Sequence, residues 1–314
     1  MPRKKCSVIE YRTYDLPPNF PVIILSDDIW RISDIPSSRL HFHNCLEIGL
    51  CESDSGTMRT SYEDFHFSAG DITFVGTDIP HTTFSDKGTA SKWIYIYADV
   101  QELLSALFPI ETVFNQEQLS NLLVSSFSIL SKSEYPQLHS LLSDIIIRLQ
   151  QKKASYQLSV RGLMLAFINE IMDIYKQSAG KWEYGKKSTL AISPALAYIR
   201  EHYKMDFPID ILAQECRLSP THFRRLFSSI MGMSPLEYLI HIRIQMASSL
   251  LRNTEMSVLE ISEETGFLSV SSFNRHFLKI IGYTPSQWRK NMSFLRNNKL
   301  LKYNGWLVPP DEIP

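Results

Sequence analysis

The sequence predicts an α+β fold: an N-terminal β-barrel with flanking helices, then an all-α domain of two helix-turn-helix units joined by a long helix. Three observations predict it. Short β-rich segments broken by turn formers fill the region from about Val22 to Ala98. After Asp99 the apolar residues recur at three- and four-residue steps instead. Near the C-terminus the chain repeats itself at a shift of about fifty residues. A length of 314 residues with 44% hydrophobic content suffices for two cores.

The strand segments are Val22 to Leu25, Leu46 to Leu50, Ile72 to Val75 and Trp93 to Tyr97, rich in β-branched and aromatic residues. Ser53-Asp54-Ser55-Gly56, Ser68-Ala69-Gly70-Asp71 and Ser85-Asp86-Lys87-Gly88 separate them as turns. Strands this short and this evenly spaced close into a sandwich or small barrel. The helical texture follows: Leu138, Leu141, Leu142, Ile145, Ile146 and Leu149 mark one amphipathic helix, and Leu163, Phe167, Ile168, Ile171 and Ile174 another. Polar residues from Gln150 to Gln157 join them. Two uses stay open for such stripes, cover for the barrel core or a seam between two copies of the chain.

The polar, glycine-containing stretch around Ser178–Thr189 lacks periodicity and reads as a linker. The expected domains are therefore 1–177 (barrel about 20–100, helices about 101–177), a linker at 178–190, a helical domain at 191–292 and a tail at 293–314. Ser193 with Pro194 is the expected start of the first helix of that domain, Ser as N-cap and Pro at the first helical position.

Within the repeat, Ile211 falls on Ile261, Leu218 on Leu268, Ser219 on Ser269, Phe223 on Phe273, Arg225 on Arg275, Phe227 on Phe277, Gly232 on Gly282 and Pro235 on Pro285. Each copy reads as a short helix, a tight turn and a second helix capped by serine. Phe223 with Phe227, and Phe273 with Phe277, are spaced i,i+4 and turn one face of the second helix inward. The opposite face offers Thr221, Arg224 and Arg225 in the first copy, and Ser272, Asn274 and Arg275 in the second. Arginine bonds guanine and asparagine bonds adenine through paired hydrogen bonds in the major groove, so these six residues are the candidate DNA readers. Between the copies, Pro235 to about Leu251 reads as one helix with Leu239, Ile242, Met246 and Leu250 buried. At about 1.5 Å per residue it reaches roughly 25 Å, a useful length beside the ~34 Å between successive major-groove segments.

The residues Leu218-Ser-Pro-Thr-His-Phe-Arg-Arg-Leu-Phe227, Gly232-Met-Ser-Pro-Leu-Glu-Tyr238, Gly266-Phe267, Ser272-Phe-Asn-Arg-His-Phe277 and Gly282-Tyr-Thr-Pro-Ser-Gln-Trp-Arg289 resemble the AraC-type family of bacterial transcription regulators. The resemblance implies that the two second helices are DNA-recognition helices and that promoter DNA and RNA polymerase are partners. One departure from the repeat is Cys216-Arg217, where Gly266-Phe267 stand in the second copy.

Further upstream, His41-Phe-His43, Glu47, Gly56, Gly70-Asp71 and Pro80-His81 are similar to the cupin barrel. That resemblance implies that His41, His43, Glu47 and His81 converge inside the barrel. Three imidazoles with one carboxylate suit several divalent transition metals. The same four residues, with Trp93 and Tyr95, suit contacts to an organic effector such as a sugar or an aromatic compound, and also a purely structural hydrogen-bond network. No cofactor is expected, and a metal only at those four ligands.

Overall charge is uninformative: the net formal charge is -1, and from Ser193 to Asn291 eleven Lys and Arg face nine Asp and Glu. DNA affinity must then rest on placement and helix N-termini. Cys6, Cys45, Cys51 and Cys216 form no CxxC pair and no disulfide framework. No secretory leader or membrane span is expected, so the chain is expected in the cytoplasm. The function that follows is an effector-controlled, dimeric transcription regulator without enzymatic activity. Two other classes predict different behaviour: a metal-dependent cupin enzyme with an accessory DNA-binding module, and a helical adaptor that never meets DNA.

Overall fold

The computed structural model describes residues 8–295 apart from 13, 15, 18, 29, 38, 62 and 178–188. Cys6, most of the expected linker and the tail beyond residue 295 lie outside the described residues. In chain order the elements are β1 (Val8–Arg12), β2 (Val22–Leu25), β3 (Arg31–Ile32), β4 (Arg39–His43), β5 (Leu46–Ser53), β6 (Ser55–Thr60), β7 (Asp64–Ser68), β8 (Ile72–Val75), β9 (His81–Ser85), β10 (Ser91–Ala98), α1 (Val100–Ser105), α2 (Gln116–Ser125), β11 (Phe127–Leu130), α3 (Pro136–Gln151), α4 (Tyr156–Gln177), α5 (Thr189–His202), α6 (Ile209–Glu215), α7 (Pro220–Met231), α8 (Pro235–Asn253), α9 (Val258–Glu264), α10 (Val270–Ile281) and α11 (Pro285–Leu295). They fall into two compact units, one within 10–185 and one within 186–303.

Two sheets build the first unit, in the orders β1-β4-β9-β6-β7 and β11-β8-β5-β10-β2, with β3 also pairing β10. The turns fall where the sequence places them. Asp54, Gly70 and Gly88 all take positive φ between consecutive strands. Alternation along the second sheet sorts its side chains. Leu46, Ile48, Ile72, Phe74, Ile94 and Ile96 pack outward against the helices, which leaves Glu47, Gly49, Cys51, Thr73, Trp93, Tyr95 and Tyr97 on the inner face. Gly49 is required there, because a Cβ would come within 2.4 Å of Thr73 Oγ1 and 2.9 Å of the Tyr95 ring.

The apolar stripes of α3 and α4 are the barrel's cover. Leu138, Leu142, Ile145, Ile146 and Leu149 join Val160, Met164, Phe167, Ile168, Ile171 and Met172 in one core with the outer sheet face. Each such side chain contributes about 1.5–3 kcal/mol by burial. These stripes are thus occupied within one chain, which answers the sequence's open choice in favour of core cover. The barrel also exceeds its expected limits of about 20–100. β1 precedes it, and β11 adds an antiparallel edge to β8 with Phe127 opposite Val75. A four-residue strand between helices carries too little period to be read from sequence.

In the second unit α5 begins at Thr189, four residues before the expected N-cap, and carries Pro194 inside it. The proline removes only the bond to the carbonyl one turn back, a loss confined to the helix's opening turns. α11 likewise runs to Leu295, past the expected limit of 292. The remaining starts follow local chemistry. Ser234 with Glu237 and Ser257 with Glu260 form reciprocal capping boxes, each pairing a bond of 2.7 Å with one of 3.2 Å. Ser219 accepts from the His222 amide and Ser269 from the Ser272 amide.

The linking helix α8 differs from its expected face. Leu239 and Ile242 are buried as expected, but Met246 and Leu250 are only half-buried, while Ile244, Ala247 and Leu251 are the residues lost from solvent. A helix shared by two helix-turn-helix copies is buried on two sides, and a single-stripe reading finds one of them. Tyr238 meets Phe227 of the first copy edge-on at 5.7 Å. Ile244, Ala247 and Leu251 enter the core of the second copy with Phe273, Phe277 and Trp288.

Candidate nucleic-acid interface and barrel site

The two copies superpose with one residue of slip. Arg217 and Gly266 both take positive φ, at 53° and 82°. The next amide in each copy returns to an equivalent carbonyl, Leu218 to Ala213 and Phe267 to Ser262. Arg217 therefore matches Gly266, at a shift of forty-nine, whereas Ser219 matches Ser269 at fifty. The ungapped register holds only after the turn, and Leu268 is the inserted residue, 91% exposed beside the Ser269 cap. The mismatch of Cys216-Arg217 with Gly266-Phe267 disappears in this register.

The candidate recognition helices are α7 and α10. Each buries its two phenylalanines completely. Thr221, Arg224, Arg225, Asn274 and Arg275 are exposed, as a reading face requires. Ser272 is half-buried at the third helical position, and exposed Ser271 takes the place equivalent to Thr221. Arg224 is not free of contacts, since its Nη2 donates to the Asp210 carboxylate at 3.0 Å. Both partners are more than half exposed, so the pair is weak, about 0–1 kcal/mol.

Inside the barrel, His41 on β4 stands opposite His81 on β9, and His43 and Glu47 follow on β4 and β5. Their ligand-capable atoms lie within 4.8 Å of one another and all four residues are buried. The Nδ1 of His43 donates to the Cys45 carbonyl and that of His81 to the Ile79 carbonyl, both at 2.8 Å. These bonds aim each Nε2 at the Glu47 carboxylate, at 3.2 Å and 3.6 Å. Burial pushes the His41 and His43 pKa values down, His41 further under the charge of Arg12. Burial also opposes ionisation of Glu47, but His81 and His43 together hold its carboxyl well below the usual range. Three buried imidazoles and one buried carboxylate, with ligand-capable atoms this close together, form a donor set that fits a divalent transition metal.

Of the two aromatics expected at an effector, Trp93 is fully buried, stacks on Tyr95 at 5.3 Å and donates its indole N–H to Ser91 Oγ at 2.9 Å. The aromatics beside the cluster are Tyr97 and Tyr14, each 5.7 Å from the His43 ring and stacked on one another at 4.1 Å. Tyr14 and Arg12 escaped the sequence reading because they precede the first expected strand.

Fold and surface together define a two-part class of protein, a ligand-binding barrel followed by paired DNA-recognition helices. Residues 33–168 match the family model described as the AraC-like ligand binding domain, and residues 212–291 one described as a helix-turn-helix domain. The chain thus carries both parts of the AraC-family transcription regulators. The MmsAB operon regulatory protein of Pseudomonas aeruginosa is 30% identical over 107 residues, 34% of this chain and 35% of that protein. The chain therefore spans about a third of that relative's length in the match. The melibiose operon regulatory protein of Escherichia coli is 22% identical over 264 residues, covering 80% of this chain and 83% of that one. Among solved structures, fatty-acid-bound ToxT of Vibrio cholerae aligns at 14% identity and a TM-score of 0.40, covering 85% and 93% of the two chains. No helix among the described residues is long and apolar enough to cross a membrane.

Proposed function

We propose that the chain is a sequence-specific transcription regulator, not an enzyme, whose DNA-binding units are controlled by a small molecule held in the barrel. One observation carries this reading: a single helix, α8, holds two serine-capped helices whose exposed faces match in Arg225 and Arg275. A monomer reads two adjacent major-groove segments with Thr221, Arg224, Arg225, Ser271, Asn274 and Arg275, and a homodimer reads paired half-sites. RNA polymerase is its partner at the promoter and the cytoplasm its location. The paired aromatic residues Tyr14 and Tyr97, beside the histidine cluster, suit a sugar ring or an aromatic ring as a neighbour.

Footprinting on the DNA that flanks the protein's own gene is the test. Two protected segments about one helical turn apart support the reading. Protection that is absent, or equal on random DNA, overturns it. Light scattering with and without effector decides the dimer, which a monomer in both states removes.

A second reading concerns the buried histidine and carboxylate cluster, whose geometry favours a divalent transition metal held by His41, His43, Glu47 and His81. Such a metal supplies a Lewis-acidic anchor for an effector oxygen. Metal analysis of the purified chain against His43→Ala checks it, and the absence of stoichiometric metal removes both this reading and that of a metal-dependent enzyme.

A further inference from the structure

The side chain of Arg12 is 9% exposed, and its Nε and Nη1 have no hydrogen-bond partner. Its Nη2 lies 3.7 Å from the Glu10 carboxylate, too far for a hydrogen bond. A buried guanidinium left this way is costly, because desolvation of the charge is not offset by bonds. A group of this kind calls for a specific explanation in a folded protein.

Strand geometry says where the guanidinium points. β1 pairs with β4, and Tyr11 packs on the Phe42 ring at 4.9 Å. Side chains alternate along a strand, so Arg12 falls on the opposite face, the one that carries His41 and His43. The charge of Arg12 is felt there by both His41 and Tyr14. Glu47 does not neutralise it, since that carboxylate faces His43 and His81. On β9, two residues beyond His81 and therefore on the same face, Thr83 holds a second buried polar atom, Oγ1, without a hydrogen-bond partner. The interior thus combines a guanidinium whose one ion pair is long and whose Nε and Nη1 are unbonded, an unused hydroxyl and the stacked rings of Tyr14 and Tyr97.

We propose that the effector carries an oxyanion, from a carboxylate or a phosphate, and that the buried guanidinium of Arg12 receives it while the rest of the molecule lies against Tyr14 and Tyr97. The proposal rests on the effector-domain reading and narrows its ligand class. A neutral hydroxyl compound satisfies hydrogen bonds but leaves the buried charge unmatched. An oxyanion does both, through charge-assisted bonds about twice as strong as neutral ones. The same anion supplies the counter-charge that a metal beside Arg12 requires.

Thermal melting of the full chain tests this, with acetate, succinate, citrate, inorganic phosphate and arabinose as probes, on the wild type, Arg12→Met and Arg12→Lys. The expected result is a rise in melting temperature with at least one anion, retained in part by Arg12→Lys and lost in Arg12→Met. A rise with the carboxylates alone or with phosphate alone identifies the source. Without any probe, Arg12→Met is expected to melt a few degrees above the wild type, because it removes an unmatched buried charge. The proposal is overturned by no anion-dependent rise, by an equal rise in wild type and Arg12→Met, or by a lower ligand-free melting temperature of Arg12→Met. Should Arg12→Met not fold, equal anion responses of wild type and Arg12→Lys under strong added chloride overturn it as well. Stabilisation of all three proteins by arabinose alone overturns the oxyanion but leaves the effector domain standing, whereas a missing DNA footprint strikes the regulator reading and not this one.

Discussion

The two helix-turn-helix units have the same serine caps on their second helices, the same buried phenylalanine pairs and an αL residue at the same place in the turn, yet they solve the turn differently. The first closes through Cys216, Arg217, Leu218 and Ser219, with an arginine at φ 53°. The second inserts Leu268 and places Gly266 at φ 82°. The reason for glycine in the second copy is steric as well as torsional: a Cβ on Gly266 would lie 2.5 Å from the Lys204 carbonyl oxygen. The loop after α5 presses on that turn, and the side chain of Lys204 bonds Glu264 next to it. No such approach constrains Arg217, which is exposed. A sequence repeat therefore marks a shared local fold, while its exceptions mark the places where the copies meet different neighbours.

The reading faces differ too. The first copy partly neutralises its own arginine through Asp210 and Arg224, whereas Asn274 occupies that place in the second. Seven substitutions probe how far the equivalence extends. Phe227→Ala and Phe277→Ala remove fully buried rings and each cost about 3–5 kcal/mol of stability. Denaturant unfolding checks this, and a large gap between the two costs breaks the equivalence of the cores. Next, Gly266→Ala is expected to cost more than the ~1–2 kcal/mol of a left-handed alanine, because the backbone of Lys204 must also move. A cost below that value removes the proposed steric role. On DNA, Arg225→Ala and Arg275→Ala each lose about 1–3 kcal/mol of specific binding. Arg224→Ala loses less, since part of its charge is already paired; titration against the footprinted site and against random DNA separates base contacts from phosphate contacts. The smallest effect has the opposite sign. Arg217→Gly relieves a left-handed non-glycine residue and stabilises the first unit by at most about 1 kcal/mol, unless the guanidinium contacts DNA, in which case binding falls while stability rises.

Several features of the molecule were legible because they are local. The strands Val22–Leu25 and Ile72–Val75 begin and end where the β-branched and aromatic runs do, and Ser219 and Ser269 cap helices because a serine oxygen reaches an amide three residues on. His41, His43, Glu47 and His81 were legible through a motif, and their convergence depends on β4 pairing β9. Arg12 and Tyr14 were not, since their strand is defined only by its partner β4. For Trp93 the sequence shows an aromatic residue but not that its N–H is bonded to Ser91 Oγ.

By itself the sequence determined the two-part organisation, the serine-capped starts of α7 and α10 and their matching exposed faces, all of which follow from period, capping and repetition within a few residues. Tertiary structure alone decided the burial of α8 on two sides, the slip at Leu268 and the orphaned guanidinium of Arg12. Each of these depends on which distant segment supplies the neighbour, and local periodicity carries no information about that.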